Sequence, residues 1–236
     1  MKFKKVARLP AMAVFAATLV SGCAMTPETD GSADRADRDQ GVLLHVSCKT
    51  NMTPEHRVEL EAIDSMMERS RNYAALARLE ELPFQTQHHW LRWAQLLAKV
   101  EQLDYSEEVY QQIAESCDSA QAYHGLGVVY VKGNKLEESL TALGTAKAKA
   151  PASSDIRNDF GVVLMQTGFY GQAAFELRTA YELSGGSETT GRNMVAAYYL
   201  QGGNSSLARL QQDLGLSDQL LAAGKEFSKR FAGGSR

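Results

Sequence analysis

His124-Gly125-Leu126-Gly127-Val128-Val129-Tyr130 is followed 34 residues later by Asn158-Asp159-Phe160-Gly161-Val162-Val163-Leu164, and the two stretches share Gly-Val-Val in the same register. Five further pairs fall at that offset: Leu126 with Phe160, Tyr130 with Leu164, Ser139 with Ala173, Leu143 with Leu177, and Ala146 with Ala180. Agreement of large with large and small with small at one spacing marks an internal repeat, and this decides the fold. Small residues at Gly127 and Ser139 let two antiparallel helices approach closely, the bulky ones interlock, and Pro151 ends the second helix. One such pair cannot bury its apolar face alone, so several must stack.

The spacing resembles the tetratricopeptide repeat, which takes large residues at positions 4, 7, 11 and 24, small ones at 8, 20 and 27, and Pro at 32. Counted from Ala120, the chain reads Tyr123, Leu126, Gly127, Tyr130, Ser139, Leu143, Ala146 and Pro151. A unit from Ser154 supplies Phe160, Gly161, Leu164, Ala173, Leu177 and Ala180. One from Thr189 supplies Val195, Ala196, Tyr199 and Ala208, and one from Gln87 supplies Trp90, Trp93, Ala94, Leu97, Ser106, Tyr110 and Ile113. The implied fold is all-α: an antiparallel-helix solenoid over residues 42–236. Its units are 57–86 (degenerate, with Leu60, Ile63, Met67, Tyr73 and Leu76 apolar), 87–119, 120–153, 154–188 and 189–216. A capping helix over 217–232 turns Leu220, Leu221 and Phe227 inward. Arg157 and Arg192 depart from the usual aromatic at position 4, and Gln212 and Gly215 depart at positions 24 and 27, which predicts a short second helix there.

By the same resemblance, a partner-binding wall comes from the first helix of each pair. Position 5 is Leu91, His124, Asn158 and Asn193; position 9 is Gln95, Val128, Val162 and Ala197. Position 12 is Ala98, Val131, Met165 and Leu200; position 13 is Lys99, Lys132, Gln166 and Gln201. The expected groove comprises His124, Val128, Val131, Lys132, Asn158, Val162, Met165, Asn193, Ala197 and Leu200. An Asn amide donates and accepts, so Asn158 and Asn193 could pair with the backbone of an extended segment while Val, Met and Leu bury its side chains. The other reading is that the two asparagines bond neighbouring helices and the apolar residues are inter-repeat core.

Upstream, Met1 to Arg8 is basic and Leu9 to Val20 is an apolar run of 12 residues, too short for a spanning helix of about 20 and suited to an export signal over 1–22. Val20-Ser21-Gly22-Cys23 resembles a bacterial lipobox, which implies lipidation of Cys23, and Ala24 after it implies sorting to the periplasmic face of the outer membrane. Residues 24–41 carry Glu28, Asp30, Asp34, Asp37 and Asp39 with almost nothing apolar. Such a segment reads as a tether, with an average reach of roughly 20–25 Å. The formal charge is −3, and without the first 22 residues, which hold four cations, 21 basic residues face 28 acidic ones; this argues against a nucleic-acid partner. Cys48 and Cys117 then remain, either bridged, stapling the degenerate pair to the stack, or as two buried thiols.

No catalytic motif stands out. There is no phosphate loop, no HExxH and no GxSxG elbow; Gly125-Leu126-Gly127 is half a nucleotide fingerprint inside a helix. His88 and His89 lack a third ligand at metal spacing and read as a solvated helix start. No metal, cofactor or enzymatic activity is expected. Together, the lipobox, the acidic tether, and the strings Arg157 to Gly168 and Arg192 to Gly203 resemble TadD-type lipoproteins of the Tad (Flp) pilus and tight-adherence system. That resemblance implies a non-catalytic adaptor at the outer membrane, with proteins of a pilus or secretion machine, the secretin among them, as partners. A pilotin-like protein of type IV pili and a general periplasmic scaffold for envelope assembly remain as alternatives.

Overall fold

In the computed structural model, residues 45–232 are described, and the signal, Cys23 and the tether lie outside them. Among the described residues there are ten helices and no strand. They are α1 (Pro54–Glu68), α2 (Asn72–Glu80), α3 (Gln87–Lys99), α4 (Leu103–Cys117), α5 (Ala120–Lys132), α6 (Leu136–Lys149), α7 (Ser154–Gln166), α8 (Tyr170–Leu183), α9 (Glu188–Leu214) and α10 (Asp218–Ser228). Each packs on the next in chain order, and the first helices of successive pairs also touch, α3 on α5, α5 on α7 and α7 on α9. None of the described helices is long and apolar enough to cross a membrane.

The repeat is written into the helix ends as well as the core. Ser119, Ser153 and Ser187, evenly spaced along the chain, cap α5, α7 and α9 by accepting the N–H three residues on. Between the helices of a pair, the chain turns through a left-handed residue: Ser70, Glu101, Asn134, Gly168 and Gly203. In the first four, the next residue's N–H reaches a carbonyl five positions back (Arg71 to Met66, Gln102 to Leu97, Lys135 to Tyr130, Phe169 to Leu164, all 2.8–2.9 Å), closing the first helix with a Schellman bond. Pro151 follows the end of α6, as its missing N–H requires.

Within pairs, Ser106 Oγ donates to the Ala94 carbonyl (2.7 Å) and Ser139 Oγ to that of Gly127 (2.8 Å), so the small residue at position 20 also bonds the facing backbone. Gly127 and Gly161 admit Leu143 and Leu177: a Cβ at either glycine would stand 2.5 Å from the leucine Cγ. Gly161→Ala is therefore expected to destabilise by about 1–2 kcal/mol net of the helix-propensity gain. Gly144→Ala in α6, where a Cβ meets nothing within 4 Å, should instead stabilise by about 0.5–1 kcal/mol. Urea unfolding of the two variants reads the opposite signs.

The last pair departs from the repeat. Helix α9 breaks at Gly202 and Gly203, where the backbone leaves helical values, and after this turn the buried face arrives early: Leu210 lies seven residues past Gly203, whereas Leu177 lies nine past Gly168. Leu207 and Leu210 are buried and Ala208 is exposed, which corrects the expectation that Ala208 fills the small position.

At the other end, Leu60, Ile63 and Leu76 are buried as the apolar pattern requires, but Tyr73 is 74% exposed on the outer side of α2. His89 is fully buried rather than solvated, its Nδ1 2.7 Å from Thr86 Oγ1 and its ring edge-on to His56 at 5.2 Å. It sits in an aromatic seam where Phe84 meets both Trp90 (5.0 Å) and Trp93 (5.7 Å). Burial, then the charge of His56, holds the His89 pKa below its ordinary value. The unfolded chain thus binds this proton more readily than the folded one. The stability this contributes is present above about pH 6.5 and declines as pH falls below it. A His89→Phe variant should lose that acid sensitivity in melts between about pH 7.5 and pH 5.5.

Candidate functional site

The inner wall is built by the first helices. Between α3 and α5 lies a cavity of about 520 Å³ bordered by Leu91, Gln95, Ala98 and Lys99 from α3 and by His124, Val128 and Lys132 from α5. A shallower one of about 180 Å³, bordered by Val128, Val131, Lys132, Asp159 and Val162, continues between α5 and α7. Val128 and Lys132 border both, so the two are steps of one groove. Val128 is 36% exposed, which leaves an apolar surface on its floor.

The polar groups around it are fixed by the stack. Lys132 Nζ donates to the Ala98 carbonyl (2.8 Å) and to Glu101 Oε1 (3.0 Å), capping the end of α3 from the next repeat. Arg92 grips both oxygens of Asp64, with Nη2 at 2.7 Å from one and Nε at 2.6 Å from the other. His124 Nε2 lies 2.7 Å from Asp159 Oδ2. From Asp159, a chain of bonds runs outward: Asn158 Nδ2 donates to Asp159 Oδ1 (3.2 Å), Asn193 Nδ2 to Asn158 Oδ1 (2.8 Å), and Arg192 to Asn193 Oδ1 (3.3 Å).

These bonds correct part of the expected groove. Asn193 is 3% exposed, and its amide bonds Asn158 and Arg192. The asparagines join helices instead of presenting a ladder to a ligand. Met165 and Ala197 are fully buried and Leu200 packs against the same C-terminal core, so these three serve the interior. The reason is the cap. Gly224 brings α10 so close to α9 that a Cβ there would lie 2.3 Å from Val195, and the Arg192 guanidinium stacks on Phe227 at 4.4 Å. Phe231 is buried, its carbonyl accepts from Tyr170 Oη (3.3 Å), and with Phe227 and Arg230 it faces Val162 and Gln166 of α7 across a cavity of about 300 Å³. The groove therefore runs along α3, α5 and α7, and the capping helix stands at its far end.

Both position-4 arginines now have roles. Arg192 holds the cap. Arg157 pairs with Glu176, a carboxylate only 5% exposed, which also receives Lys147 Nζ at 2.6 Å, so one buried acid ties α6, α7 and α8 together.

Cys48 and Cys117 are joined, with Cα atoms 5.2 Å apart. The segment before α1 is also held by Gln87 N–H to the Lys49 carbonyl (2.8 Å) and Ser47 Oγ to the Gln85 carbonyl (2.8 Å), so it straps the degenerate pair to the first regular one. His88 Nε2 contacts the Thr50 carbonyl (3.2 Å) and the same residue borders the large cavity.

Several lining residues fall outside the mapped positions, Tyr110 and Arg92 among them. Tyr110 comes from α4, behind the wall; it is visible from the groove because Gly125 carries no side chain, and a Cβ there would stand 2.2 Å from the phenol ring. Arg92, at position 6, lies one residue beyond the positions mapped. A glycine at position 6 facing a Tyr at position 24 is the signal that could have found the first. Among the described residues, no group of three or more His, Cys, Asp or Glu could hold a metal ion.

Comparison with known proteins places this architecture. No family model matches the chain. The TPR repeat-containing protein PA4299 of Pseudomonas aeruginosa is 30% identical over 200 residues, 85% of this chain and 76% of that protein. Among solved structures, MamA MSR-1 superposes with a TM-score of 0.51 at 18% identity, over 74% of this chain and 97% of that one. MamA 41-end from Desulfovibrio magneticus RS-1 gives 0.52 at 13%, over 69% and 94%. At such identities the structures attest the fold alone.

Proposed function

The chain belongs to the TPR repeat-containing proteins, a fold suited to scaffolding protein–protein interactions, and on that premise we propose that it is a non-catalytic outer-membrane lipoprotein adaptor of Tad (Flp) pilus assembly, with the secretin as its partner. The observation that carries the reading is the groove along α3, α5 and α7, apolar at Val128, Val131 and Val162 and open on one face. The lipobox ending at Cys23 and the acidic tether supply the rest. A domain held near the membrane meets a membrane-associated partner at high effective concentration, so a modest groove affinity suffices. Acyl chains on Cys23 would anchor the domain, each buried methylene contributing about 0.8 kcal/mol.

The test is secretin assembly in cells lacking the gene. Heat-resistant secretin multimers should fall, and recover with the wild-type chain but not with Cys23→Ala or with Val128→Asp. Full recovery with Val128→Asp would remove the groove from this function, and unchanged multimers in the deletion would remove the pilus role.

A further inference from the structure

Buried polar atoms without partners gather where the first helix pair meets the stack. His56 Nδ1 on α1, Asn72 Oδ1 on α2, and His89 Nε2 and Trp90 Nε1 on α3 are shut away from solvent with no hydrogen-bond partner among the described residues. Such groups lose water on closure and gain nothing in exchange, so they weaken the joint they line. Helix α2 also packs on α3 more sparsely than the later helices pack on their predecessors.

Two imidazoles stand in this joint, His89 fully buried and His56 half-buried, with ring centroids 5.2 Å apart. Neutral His89 is accommodated, its Nδ1 meeting Thr86 Oγ1. An imidazolium carries a proton on both nitrogens, and Nε2 has no acceptor to offer it. The charged groups that face the ring are His56 and Glu59 of α1 and His88 of its own helix. Glu80 of α2 is engaged by Trp93 Nε1 (3.0 Å), and Asp64 of α1 by Arg92. Glu59 favours the cation, but burial and then His56 outweigh it. The closed joint therefore resists a proton that an opened joint takes up, and the open form gains on the closed one as pH falls below about 6.5, by up to about tenfold per pH unit for one proton.

We infer that α1 and α2 form an acid-opened flap: in mildly acidic solution, proton uptake at the His56–His89 pair parts them from α3 while α3 to α10 stay folded. Both ends of the flap remain held, by the Cys48–Cys117 bridge ahead of α1 and by the chain running into α3, so it recloses when the proton leaves. Opening uncovers Phe84, Trp90 and Trp93 and takes Asp64 away from Arg92, which borders the groove cavity, so acid adds an unpaired cation at that end of the groove.

The chain has two tryptophans, Trp90 and Trp93, and both report on this joint. In the full chain purified in detergent, their emission should shift to the red with a midpoint between about pH 5 and pH 6.5 and return at neutral pH, with the far-ultraviolet helix signal nearly unchanged. Hydrogen exchange at pH 5.5 against pH 7.5, corrected for the intrinsic rate, should quicken about tenfold or more in α1 and α2 and stay level in α5 to α8. His89→Phe, and His89→Asn, which keeps an acceptor for Thr86, should hold both signals at their neutral values. If one variant does not fold, the other and the wild-type exchange decide. Emission and exchange unchanged down to pH 5, protection lost in both regions together, or a titration that the His89 variants retain would each overturn the assignment.

Discussion

The Cys48→Ser, Cys117→Ser double variant should lose about 4 kcal/mol of stability, because the bridge closes a loop across a sequence separation of 69 residues and removes that much chain entropy from the unfolded state. The loss should be local in its first expression. Residues 45–53 are held otherwise by the partly buried Val46 and Met52 and by a few exposed hydrogen bonds such as that from Ser47 to Gln85. The strap and α1–α2 should therefore become protease-sensitive, with cleavage before residue 87, while the fragment from α3 onward resists. Limited proteolysis of the oxidised and reduced wild-type chain reads the same effect without mutation. Equal cleavage patterns would show that the aromatic seam of Phe84, Trp90 and Trp93 holds the first pair unaided.

Glu176→Ala is expected to cost about 2–4 kcal/mol. The carboxylate is buried and shared by Lys147 and Arg157, so truncation strands two cations on the α6–α7–α8 junction. Breaking a buried pair from one side costs more than the pair itself contributes, and the partial exposure of Lys147 keeps the figure below the upper end for such sites. The comparison is Glu182→Ala, whose own carboxylate is exposed and whose partner Arg178 is half-buried and also near Asp213, where the change should fall within about 0.5 kcal/mol. A small effect at Glu176 would mean that water replaces the lost oxygens and that α7 and α8 are held by their apolar contacts alone.

Much of this fold is legible from Gly127 and Gly161, because a helix that receives a leucine at 2.5 Å from a missing Cβ leaves no freedom in residue type. Ser139 is legible for the same reason, and Pro151 because it removes a donor. What the pattern leaves unread is whatever depends on neighbours outside one repeat. Arg157 looks like a lapse at an aromatic position until Glu176, which breaks the small-or-apolar pattern of α8, is placed beside it. Asn193 looks like a groove residue until α10 folds over α9 and its amide is spent on Asn158 and Arg192. His89 is polar by type and buried by context, closed in by His56 and Phe84, which come from an irregular pair with no repeat register to map. Tyr110 behaves both as core and as groove, and only the pairing of its ring with Gly125 tells the two apart. His124, Val128, Val131, Lys132 and Val162 border the groove cavities because there the repeat is regular; Asn158 and Met165 on α7 and the positions on α9 turn to neighbouring helices or the core, because the terminal pairs must cover their own exposed face.

A photo-reactive amino acid placed at Val128, at the meeting point of the two groove cavities, and separately at Tyr105, exposed on α4, gives the most direct reading of which face meets a partner. In living cells the Val128 derivative should yield a discrete protein adduct and the Tyr105 derivative none. Adducts from Tyr105 with none from Val128 would show that the stack presents its second helices to partners and that the groove is not the docking face.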